Sequence, residues 1–552
     1  MEATAKYLQI HPADNIMVAL QDLTKGSTIK VNGHSFLLHD HVAAKHKFSV
    51  QALETGDNIF MYGVLVAKAN HFIPQGSALT IKNIRHASDD YTLGSRKPAW
   101  QAPDVSKWKD RTFMGFHRPD GSVGTANYWI VIPLVFCENR NVEVLKEALV
   151  DKLGYNRVKA FDGDVDTLID MYRSGRSAEE LLNAELPEAA NGNGNEKVFP
   201  NIDGIKFLNH EMGCGGTRMD SDSLCGLLAG YITHPNVAGA TVLSLGCQHA
   251  QASILKSEIK KRDPHFSKPL EILEQQKEGT EKQLIRKAIT RTFAGLAKAN
   301  QLKREPAPLS KLCIGLECGG SDGFSGISAN PAVGYVSDLL VALGASVILS
   351  EFPELCGVEQ ELSDRCVDEE TATRFMDLMR NYNNKALAEG SGFYANPSPG
   401  NIRDGLITDA IKSAGAAKKG GTSPVAAVLD YPEKVSKPGL NLLCTPGNDV
   451  ESTTAEVASG ANIVLFTTGL GTPTGNPISP VIKLSTNTKT FNKMPDIIDI
   501  NCGTIIEGTE TIKQAGERIL EYVIDVASGL VKPKAVQLGQ DDFIPWRRGV
   551  SL

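Results

Sequence analysis

The stretch KLCIGLECGGSDGFSGISANP, residues 311–331, decides the fold class of this chain. In it an apolar run leads into a loop of glycine, cysteine and polar residues, and a helical pattern follows. The same transition recurs at YWIVIPLVF (128–136), GIKFLNHEMGCGG (204–216), GATVLSLGCQHA (239–250), ASVILSEFPE (345–354), GLNLLCTPGND (439–449) and ANIVLFTTGLGTPTGN (461–476). This alternation is typical of an α/β architecture with a mainly parallel sheet. Ligands of such sheets bind beyond the carboxyl ends of the strands, so these loops are candidates for a site.

The first 92 residues follow another pattern. Glycine turns separate the short strand-like runs TIKVNGHSFLL (28–38), DNIFMYGVLVAKA (57–69) and SALTIKNI (77–84), which indicates a small all-β module. Residues 93–122 are rich in Pro, Lys and Asp without a period, and we interpret them as a surface linker. The predicted domains are therefore an N-terminal β domain (1–92), a linker (93–122), a middle α/β domain (123–308) and a C-terminal α/β domain (309–552).

Two segments are predicted to be peripheral. Residues 187–197, PEAANGNGNEK, are polar and rich in Gly and Asn, which is typical of a mobile loop. Residues 266–306 carry many Lys, Glu and Gln at helical spacing. They are predicted to form a pair of solvated helices.

Composition excludes several classes of protein. A chain of 552 residues corresponds to about three domains. The net charge of −7 and the scattered Lys and Arg residues argue against a nucleic-acid partner. No signal peptide is evident and no apolar run approaches a membrane span of ~20 residues, so a cytoplasmic location is expected. Ten cysteines do not make a disulfide framework here and are expected to be buried, metal-binding or catalytic.

Three strand ends finish in glycine–cysteine loops, at Cys214, Cys247 and Cys318. Glycine lets the backbone approach a ligand closely, and a thiolate is a soft ligand suited to iron or zinc. Three such loops from different strands can converge on one ion or cluster. The alternative is that each cysteine is a small buried residue, which is common in loops at sheet ends.

A group of carboxylates follows the apolar run ASVIL. Glu351 and Glu354 flank Pro353, and Glu359 comes soon after. Carboxylates at a strand end bind a cation or act as a general base. They also favour the N-terminus of a following helix, so a capping role is the competing interpretation.

Polar loops with Gly and Pro complete this edge: NPSPGN (396–401), TPGND (445–449) and GLGTPTGN (469–476). Backbone N–H groups in such loops form anion-binding concavities, which suit the carboxylate of an acidic substrate. No GxGxxG opens a helix after a strand, and neither GxxxxGK[ST] nor GxSxG is present, so nucleotide-binding and serine-hydrolase chemistry have little support.

The N-terminal module carries its own polar cluster in HDHVAAKHKF, with His39, His41, His46 and Lys47, and Tyr62 follows before Gly63. Such side chains can contact a substrate carboxylate or transfer protons. They can equally form one solvated face of a small domain.

Together these motifs resemble the altronate/galactarate dehydratase family. The resemblance rests on HPADNIMVAL (11–20), KHKF (45–48), HRPDGSVGTAN (117–127), LGCQ (245–248), NPSPGN and above all GLECGGSDGFSGISANP (315–331). It covers nearly the whole chain apart from residues 155–200. It implies a small N-terminal β-clip (SAF-like) domain, a linker, a middle domain used in homodimerisation and a C-terminal Rossmann-like domain that holds a metal.

The resemblance also implies an Fe2+- or Mn2+-dependent hydro-lyase that forms a 2-keto-3-deoxy sugar acid. Removal of the proton α to a carboxylate builds an ene-diolate, whose charge a divalent ion stabilises, while an acid helps the β hydroxyl to leave. The expected metal ligands are Cys214, Cys247, Glu317, Cys318 and Glu351. The expected catalytic groups are His46, Lys47, His210, His249 and Glu354. The expected substrate contacts are Tyr62, Gly319, Gly320, Ser321, Asp322, Asn401, Asn448 and Asp449.

The chain departs from the family pattern at three positions. Ala126 and Leu470 replace arginines, and Ala410 replaces a glutamate. Loss of two arginines removes a bidentate carboxylate clamp, which favours a monoacid such as altronate over a diacid such as galactarate. An iron–sulfur cluster on the three cysteines and a sugar-acid-binding paralogue without activity are the remaining alternatives.

Overall fold

The computed structural model describes residues 5–31, 33–93, 99–157, 159–187 and 196–549. Most of the loop predicted at 187–197 lies outside these residues. None of the helices in the described part of the chain is long and apolar enough to cross a membrane. The cytoplasmic location and the homodimer stay predictions.

The N-terminal module is built only from short strands, as predicted. They are β1 (Tyr7–Leu8), β2 (Ile16–Ala19), β3 (Thr28–Val31), β4 (His34–Leu37), β5 (Lys47–Ser49), β6 (Asn58–Met61), β7 (Val64–Ala69) and β8 (Ile84–His86). They form antiparallel sheets in the orders β1-β2-β5, β3-β4 and β6-β7-β8. Buried Ile16, Ile59 and Val66 belong to the same apolar core as the C-terminal domain, so the module packs against that domain.

Part of the predicted linker is a strand. β9 (Thr112–His117) pairs with β10 (Val123–Gly124) and with β15 (Glu305–Pro308), both antiparallel. Phe113 and Trp108 are buried and anchor the segment, because their rings pack into the core of the C-terminal domain. The segment is therefore a structural tie between the middle and C-terminal domains.

The middle domain is a four-stranded parallel sheet in the order β12-β11-β13-β14. Its elements are β11 (Tyr128–Pro133), a 3-10 turn (Phe136–Glu138), α1 (Asn139–Leu149), α2 (Asp162–Arg173), α3 (Ala178–Leu182), β12 (Gly204–Phe207), α4 (Arg218–Thr233), β13 (Val237–Ser244), α5 (Ala252–Arg262), β14 (Leu270–Glu274), α6 (Gln275–Glu278) and α7 (Glu281–Ala299). β14 corrects the prediction of two solvated helices over 266–306, because Leu270–Glu274 pairs with the buried β13 as the edge strand of this sheet.

The C-terminal domain holds a seven-stranded parallel sheet in the order β18-β19-β17-β16-β20-β21-β22. Its strands are β16 (Cys313–Cys318), β17 (Ser346–Leu349), β18 (Val425–Leu429), β19 (Gly439–Leu443), β20 (Ile463–Thr468), β21 (Val481–Ser485) and β22 (Ile500–Asn501). Its helices are α8 (Ala329–Ala342), α9 (Glu359–Asp364), α10 (Glu369–Ala388), α11 (Pro399–Arg403), α12 (Asp409–Ala416), α13 (Asp449–Ser459), α14 (Thr488–Lys493), α15 (Gly503–Ile506), α16 (Ile512–Ala527) and α17 (Lys534–Leu538). Short 3-10 turns cover Leu309–Lys311, Ser325–Ile327, Phe352–Leu355, Phe393–Ala395 and Ala417–Gly420.

The chain runs from β16 to β17 on one side and later returns to β20 on the other, so the strand order reverses at the centre of the sheet. Crevices at such a reversal are the usual ligand sites of parallel sheets. The α/β fold class predicted from the sequence is confirmed.

The two parallel sheets share one apolar core. Leu228 and Tyr231 of α4 belong to the same buried cluster as Val464 and Phe466 of β20. Gly230 permits the close approach of α4 to α13, since a Cβ there would lie 2.3 Å from the carbonyl oxygen of Ala458.

Candidate active site

A buried thiol and two carboxylates meet where β16 and β17 end. Cys318 is the last residue of β16, and Glu351 and Glu354 follow β17. Glu351 has a left-handed backbone (φ 63°), which is unusual for a residue with a side chain. The hydroxyl of Thr445 accepts a hydrogen bond from the Glu351 amide at 2.8 Å and helps hold this conformation.

Lys419 lies inside this cluster. Its Nζ donates to the Cys318 thiol at 3.0 Å and to Glu351 Oε2 at 3.1 Å, and its side chain is 1% exposed. The Cys318 thiol lies 3.2 Å from Glu354 Oε2, and Lys412 binds the other oxygen of Glu354 at 2.6 Å. Lys412 belongs to α12 and Lys419 to the 3-10 turn that follows, so one segment supplies both cations.

Three further carboxylates lie near Cys318, Glu351 and Glu354. A carboxylate oxygen of the buried Glu317 lies within 4.8 Å of one of Glu351. Ser350 Oγ donates to Glu456 Oε1 at 2.8 Å and lies 3.4 Å from Glu317 Oε2. Asp449, the first residue of α13, has an oxygen within 4.8 Å of Glu317 and Glu351 oxygens.

The electrostatics of the cluster favour protons or a cation on its acids. Burial raises the pKa of Glu317 well above its usual value, and the neighbouring Glu351 and Glu456 carboxylates add to the rise. Burial also raises the pKa of Glu456 to about 8 and that of Asp449 to about 7. Burial raises the pKa of Glu354, but the charges of Lys412 and Lys419 and the hydrogen bonds from Lys412 and Cys318 together hold it below its usual value.

The donors of this cluster, named here the acid–thiol cluster (Glu317, Cys318, Glu351, Glu354, Asp449 and Glu456), suit a divalent ion. Atoms of Cys318, Glu351 and Glu354 all lie within 4.8 Å of one another. Glu351 Oε1 and Glu456 Oε2 are buried without a hydrogen-bond partner among the described residues. Thiolate and carboxylate ligands together favour a borderline metal such as iron. Cys318, Glu351 and Glu354 are therefore the residues that fit the implied Fe2+ or Mn2+.

The loop after β16 is packed so closely against its neighbours that it requires glycine. A Cβ on Gly319 would lie 1.9 Å from Asp449 Oδ2, so only glycine lets Asp449 reach this position. Gly320 has φ 59° and accepts hydrogen bonds from the amides of residues 469 and 470. The carbonyl oxygen of Ser321 accepts a hydrogen bond from Asn401 at 2.8 Å.

Asp322 binds protein groups on both of its oxygens. Oδ1 accepts from Thr486 at 2.9 Å, and Oδ2 pairs with Lys45 at 3.0 Å. Asn448 is exposed and caps α13 through the amides of residues 450 and 451. In this structure Asp322 and Asn448 therefore position loops, and their predicted substrate contacts stay predictions.

The N-terminal module contacts the C-terminal domain next to this loop through residues 45–47. Lys45 bridges Asp322 and Asp404, and Lys47 Nζ donates to the Gly405 carbonyl at 2.6 Å. A ring nitrogen of His46 lies 3.0 Å from the Arg403 carbonyl oxygen. Burial lowers the pKa of Lys47 to about 7.

Tyr62, of the same module, has a buried side chain whose hydroxyl packs against Gly326 and Gly415. His39 lies on the exposed face of the module with its ring beside Asp40, and His41 is also exposed. Lys45, His46, Lys47 and Tyr62 therefore contact the C-terminal domain, whereas His39 and His41 are exposed.

The other predicted metal and acid–base residues lie on the middle sheet. Cys214 follows β12 and Cys247 follows β13, and neither joins Cys318 in a ligand group among the described residues. The expected convergence of three cysteine loops is not what the structure shows, because Cys318 belongs to the other sheet. His249 is exposed.

His210 has both ring nitrogens occupied by backbone groups. Nε2 donates to the Pro133 carbonyl at 2.8 Å, and Nδ1 accepts from the Met212 amide at 3.1 Å. Burial lowers the pKa of His210 to about 4. The ring therefore fixes its own loop, and it has no free nitrogen for proton transfer in this conformation.

Three functional residues were missed at the sequence level: Lys412, Lys419 and Glu456. The two lysines lie in DAIKSAGAAKKGG (409–421), where their helical spacing gives no sign that they face a buried thiol. Glu456 lies inside α13, seven residues after Asp449, two turns of helix further on. That spacing, which puts the two acids on one face of α13, is the one signal in the sequence that pointed to Glu456.

Comparison with known proteins agrees with this architecture. Residues 5–87 match the altronate/galactarate dehydratase SAF domain, residues 115–300 the second domain of D-galactarate dehydratase/altronate hydrolase, and residues 309–551 the C-terminal domain of D-galactarate/altronate dehydratase. The altronate dehydratase of Bacillus subtilis is 33% identical over 523 residues, 95% of each chain.

The chain belongs to the altronate/galactarate dehydratase family. The altronate dehydratase of Escherichia coli is 32% identical over 95% of each chain, and the galactarate dehydratase (L-threo-forming) of the same organism is 32% identical over 97% of this chain and 95% of its own. This member of the family is a hydro-lyase. The acid–thiol cluster lies in the part that matches the family's C-terminal domain.

Proposed function

We propose that the protein dehydrates a sugar acid, with altronate as substrate and 2-keto-3-deoxygluconate as product, in hexuronate catabolism. The observation that carries the proposal is the acid–thiol cluster with Lys412 and Lys419 at the tips of the central strands. Two altronate dehydratases are 32–33% identical to this chain over nearly its full length.

The residues of the cluster have separable tasks in this reaction. Asp449 is half-buried and has a pKa of about 7, so it exchanges a proton readily near neutral pH. We assign to the ionised Asp449 the removal of the proton α to the substrate carboxylate; passing that proton to the β hydroxyl as its C–O bond breaks releases water and leaves the enol of the 2-keto-3-deoxy acid. Burial raises the pKa of Glu317, which favours the protonated form of this carboxyl. A protonated Glu317 limits the negative charge that the cluster carries.

Lys412 and Lys419 supply the positive field. Lys412 is paired with Glu354, and Lys419 lies between the thiol and Glu351. Both lysines keep raised pKa values because the surrounding acids outweigh the effect of burial. They therefore remain charged and favour the negative charge that develops on the substrate carboxylate as the α proton leaves.

We further propose that Cys318, Glu351 and Glu354 hold Fe2+ or Mn2+. Such an ion supplies Lewis-acid stabilisation of the developing carboxylate charge. The iron–sulfur alternative has less support, since Cys318 is the one cysteine of the acid–thiol cluster in the described part of the chain.

The geometry near the loop after β16 favours a monoacid. Leu470 lies beside Gly320, with its Cβ 3.4 Å from the position that a Cβ on Gly320 would occupy. An aliphatic side chain offers no second carboxylate clamp there. Ala126 lies in the middle domain, where its carbonyl accepts from Arg118 at 3.2 Å, and it is not part of the cluster.

The experiment is an anaerobic screen of hexonates and hexarates with iron(II) supplied, read out as 2-keto-3-deoxy acid. Altronate should give the highest kcat/KM, and galactarate should be turned over more slowly. Preference for galactarate would overturn the substrate assignment. Absence of product from every sugar acid, with folded and metal-loaded protein, would overturn the reaction itself.

A further inference from the structure

A second group of metal-ligand side chains lies away from the acid–thiol cluster, where the N-terminal module meets the C-terminal domain. His86 ends β8 of the module, Cys356 follows the 3-10 turn Phe352–Leu355, and Asp409 is the first residue of α12. One ligand atom from each, a ring nitrogen, the sulfur and a carboxylate oxygen, lies within 4.8 Å of the other two. The three residues come from parts of the chain that are distant in sequence.

The carboxylate of Asp409 is buried, and few groups of the protein are available to compensate its charge. Asp409 is 2% exposed, and apart from its contact with the His86 ring nitrogen and its proximity to the Cys356 thiol, neither of its oxygens has a hydrogen-bond partner among the described residues. Its Oδ1 is in direct contact with His86 Nδ1, and no lysine or arginine forms an ion pair with it among the described residues. A buried carboxylate left in this state costs free energy unless a cation or a proton compensates it.

A second carboxylate adds to the buried negative charge at this site. Glu359 is 7% exposed and close enough for its charge to act on both Cys356 and Asp409. One Glu359 oxygen accepts from the Gly357 amide at 2.6 Å. Neither Glu359 nor Asp409 forms an ion pair with Lys or Arg in the described part of the chain, and the His86 ring is the side chain in contact with Asp409 at this site.

We propose that His86, Cys356 and Asp409 bind a divalent cation that fastens the N-terminal module to the C-terminal domain. Nitrogen, sulfur and oxygen donors together select a borderline ion such as Zn2+ or Co2+. Glu359 or a water completes four-coordination. His86 is 31% exposed, which leaves a path for the ion to enter.

The position of the site links it to the acid–thiol cluster. Cys356 is two residues after Glu354, and Asp409 is three residues before Lys412 on α12. An ion bound by Cys356, Asp409 and the module's His86 therefore fixes the positions of Glu354 and Lys412, the partners of an ion pair, relative to the module. This role is structural and independent of which sugar acid the enzyme uses.

The test is a Co2+ titration of the metal-free full-length protein under anaerobic conditions, followed by absorption spectroscopy. Thiolate ligation of Co2+ gives a charge-transfer band that carboxylate ligation lacks. The Cys318→Ser background removes the thiol of the acid–thiol cluster, so any remaining band reports another cysteine. The site predicts one equivalent of band-forming Co2+ in this background.

Further substitutions assign the band. It should disappear in C318S/C356S and persist in C318S/C247S, whose additional substitution removes an exposed cysteine of the middle domain. Asp409→Asn and His86→Gln in the C318S background should each weaken Co2+ binding by at least about tenfold. These two variants keep the thiol and test the site even if C318S/C356S does not fold.

A second readout locates the ion. Zn2+ should slow amide hydrogen exchange in β8 and at the start of α12 of the C318S protein, and Asp409→Asn should abolish the effect. Absence of the Co2+ band in C318S, its survival in C318S/C356S, or unchanged affinity in both the Asp409 and His86 variants would overturn the proposal. In that case His86 and Asp409 form an ion pair only.

Discussion

At the scale of single residues, Lys419 is the most deeply buried cation beside the acid–thiol cluster. Its ammonium group contacts both the Cys318 thiol and Glu351 inside the protein. No pattern in the sequence separates Lys419 from its neighbour Lys418, which is half-buried at the surface beside Glu361. Cys318, Glu351 and Glu354 were predictable because they end or follow buried strands. Glu456 lies inside α13, and the two lysines come from α12 and the 3-10 turn after it, so none of these three follows a strand.

Replacing Lys419 by Met should destabilise the metal-free protein strongly. The substitution leaves buried acids without their cation, and breaking a buried ion pair from one side costs about 3–5 kcal/mol. Denaturant unfolding of K419M and of the control K418M measures the difference. K418M should stay within about 1 kcal/mol of wild type, since it removes a long-range surface contact. Equal stability of K419M and K418M would contradict the assignment.

Asp449 should set the acidic limb of the pH–rate profile. Its pKa is about 7, and only the ionised carboxylate accepts a proton, so kcat/KM should fall as the pH drops below about 7. The profile of wild type and of Asp449→Asn measures this. The variant should be slow at all pH values and should lack the limb. A limb of unchanged position in the variant would assign it to another group.

At the scale of elements, the strands and helices of the C-terminal domain could be predicted from the sequence because apolar runs, polar loops and helical patterns alternate regularly. β9 and β14 were not, since each is stabilised by a partner that the local sequence does not reveal. β9 pairs with residues 305–308, and β14 is an edge strand whose Lys- and Glu-rich surroundings imitate a solvated helix. Tertiary pairing overrode local propensity at both places.

The docking of the 45–47 segment on the C-terminal domain rests on Gly323. A Cβ there would lie 2.3 Å from the Lys45 carbonyl oxygen. Gly323→Ala should therefore push the module away and destabilise the protein by about 1–3 kcal/mol. Thermal unfolding measures the change. Gly400→Ala is the control, because its Cβ would meet no atom closer than 3.6 Å. Equal effects of the two substitutions would show that the contact carries no strain.

At the scale of the whole molecule, the predicted site residues are divided between the two parallel sheets. The acid–thiol cluster lies on the seven-stranded sheet, while Cys214, Cys247 and His210 lie on the four-stranded one. The sequence shows that each loop follows a strand, but it does not show which strands share a sheet. The sequence therefore could not establish that the three cysteines converge. It could predict the carboxylates near Cys318, because they follow the next strand of the same sheet.

The most direct test of the central claim is turnover of altronate by the wild-type protein and by Glu351→Gln, before and after removal of metal by a chelator. Chelation should abolish product formation by the wild type, and iron(II) or manganese(II) should restore it. Glu351→Gln should remain slower than wild type by at least about tenfold with metal present. Undiminished turnover by the chelated wild type, or by Glu351→Gln, would show that the reaction does not depend on a metal held by the acid–thiol cluster.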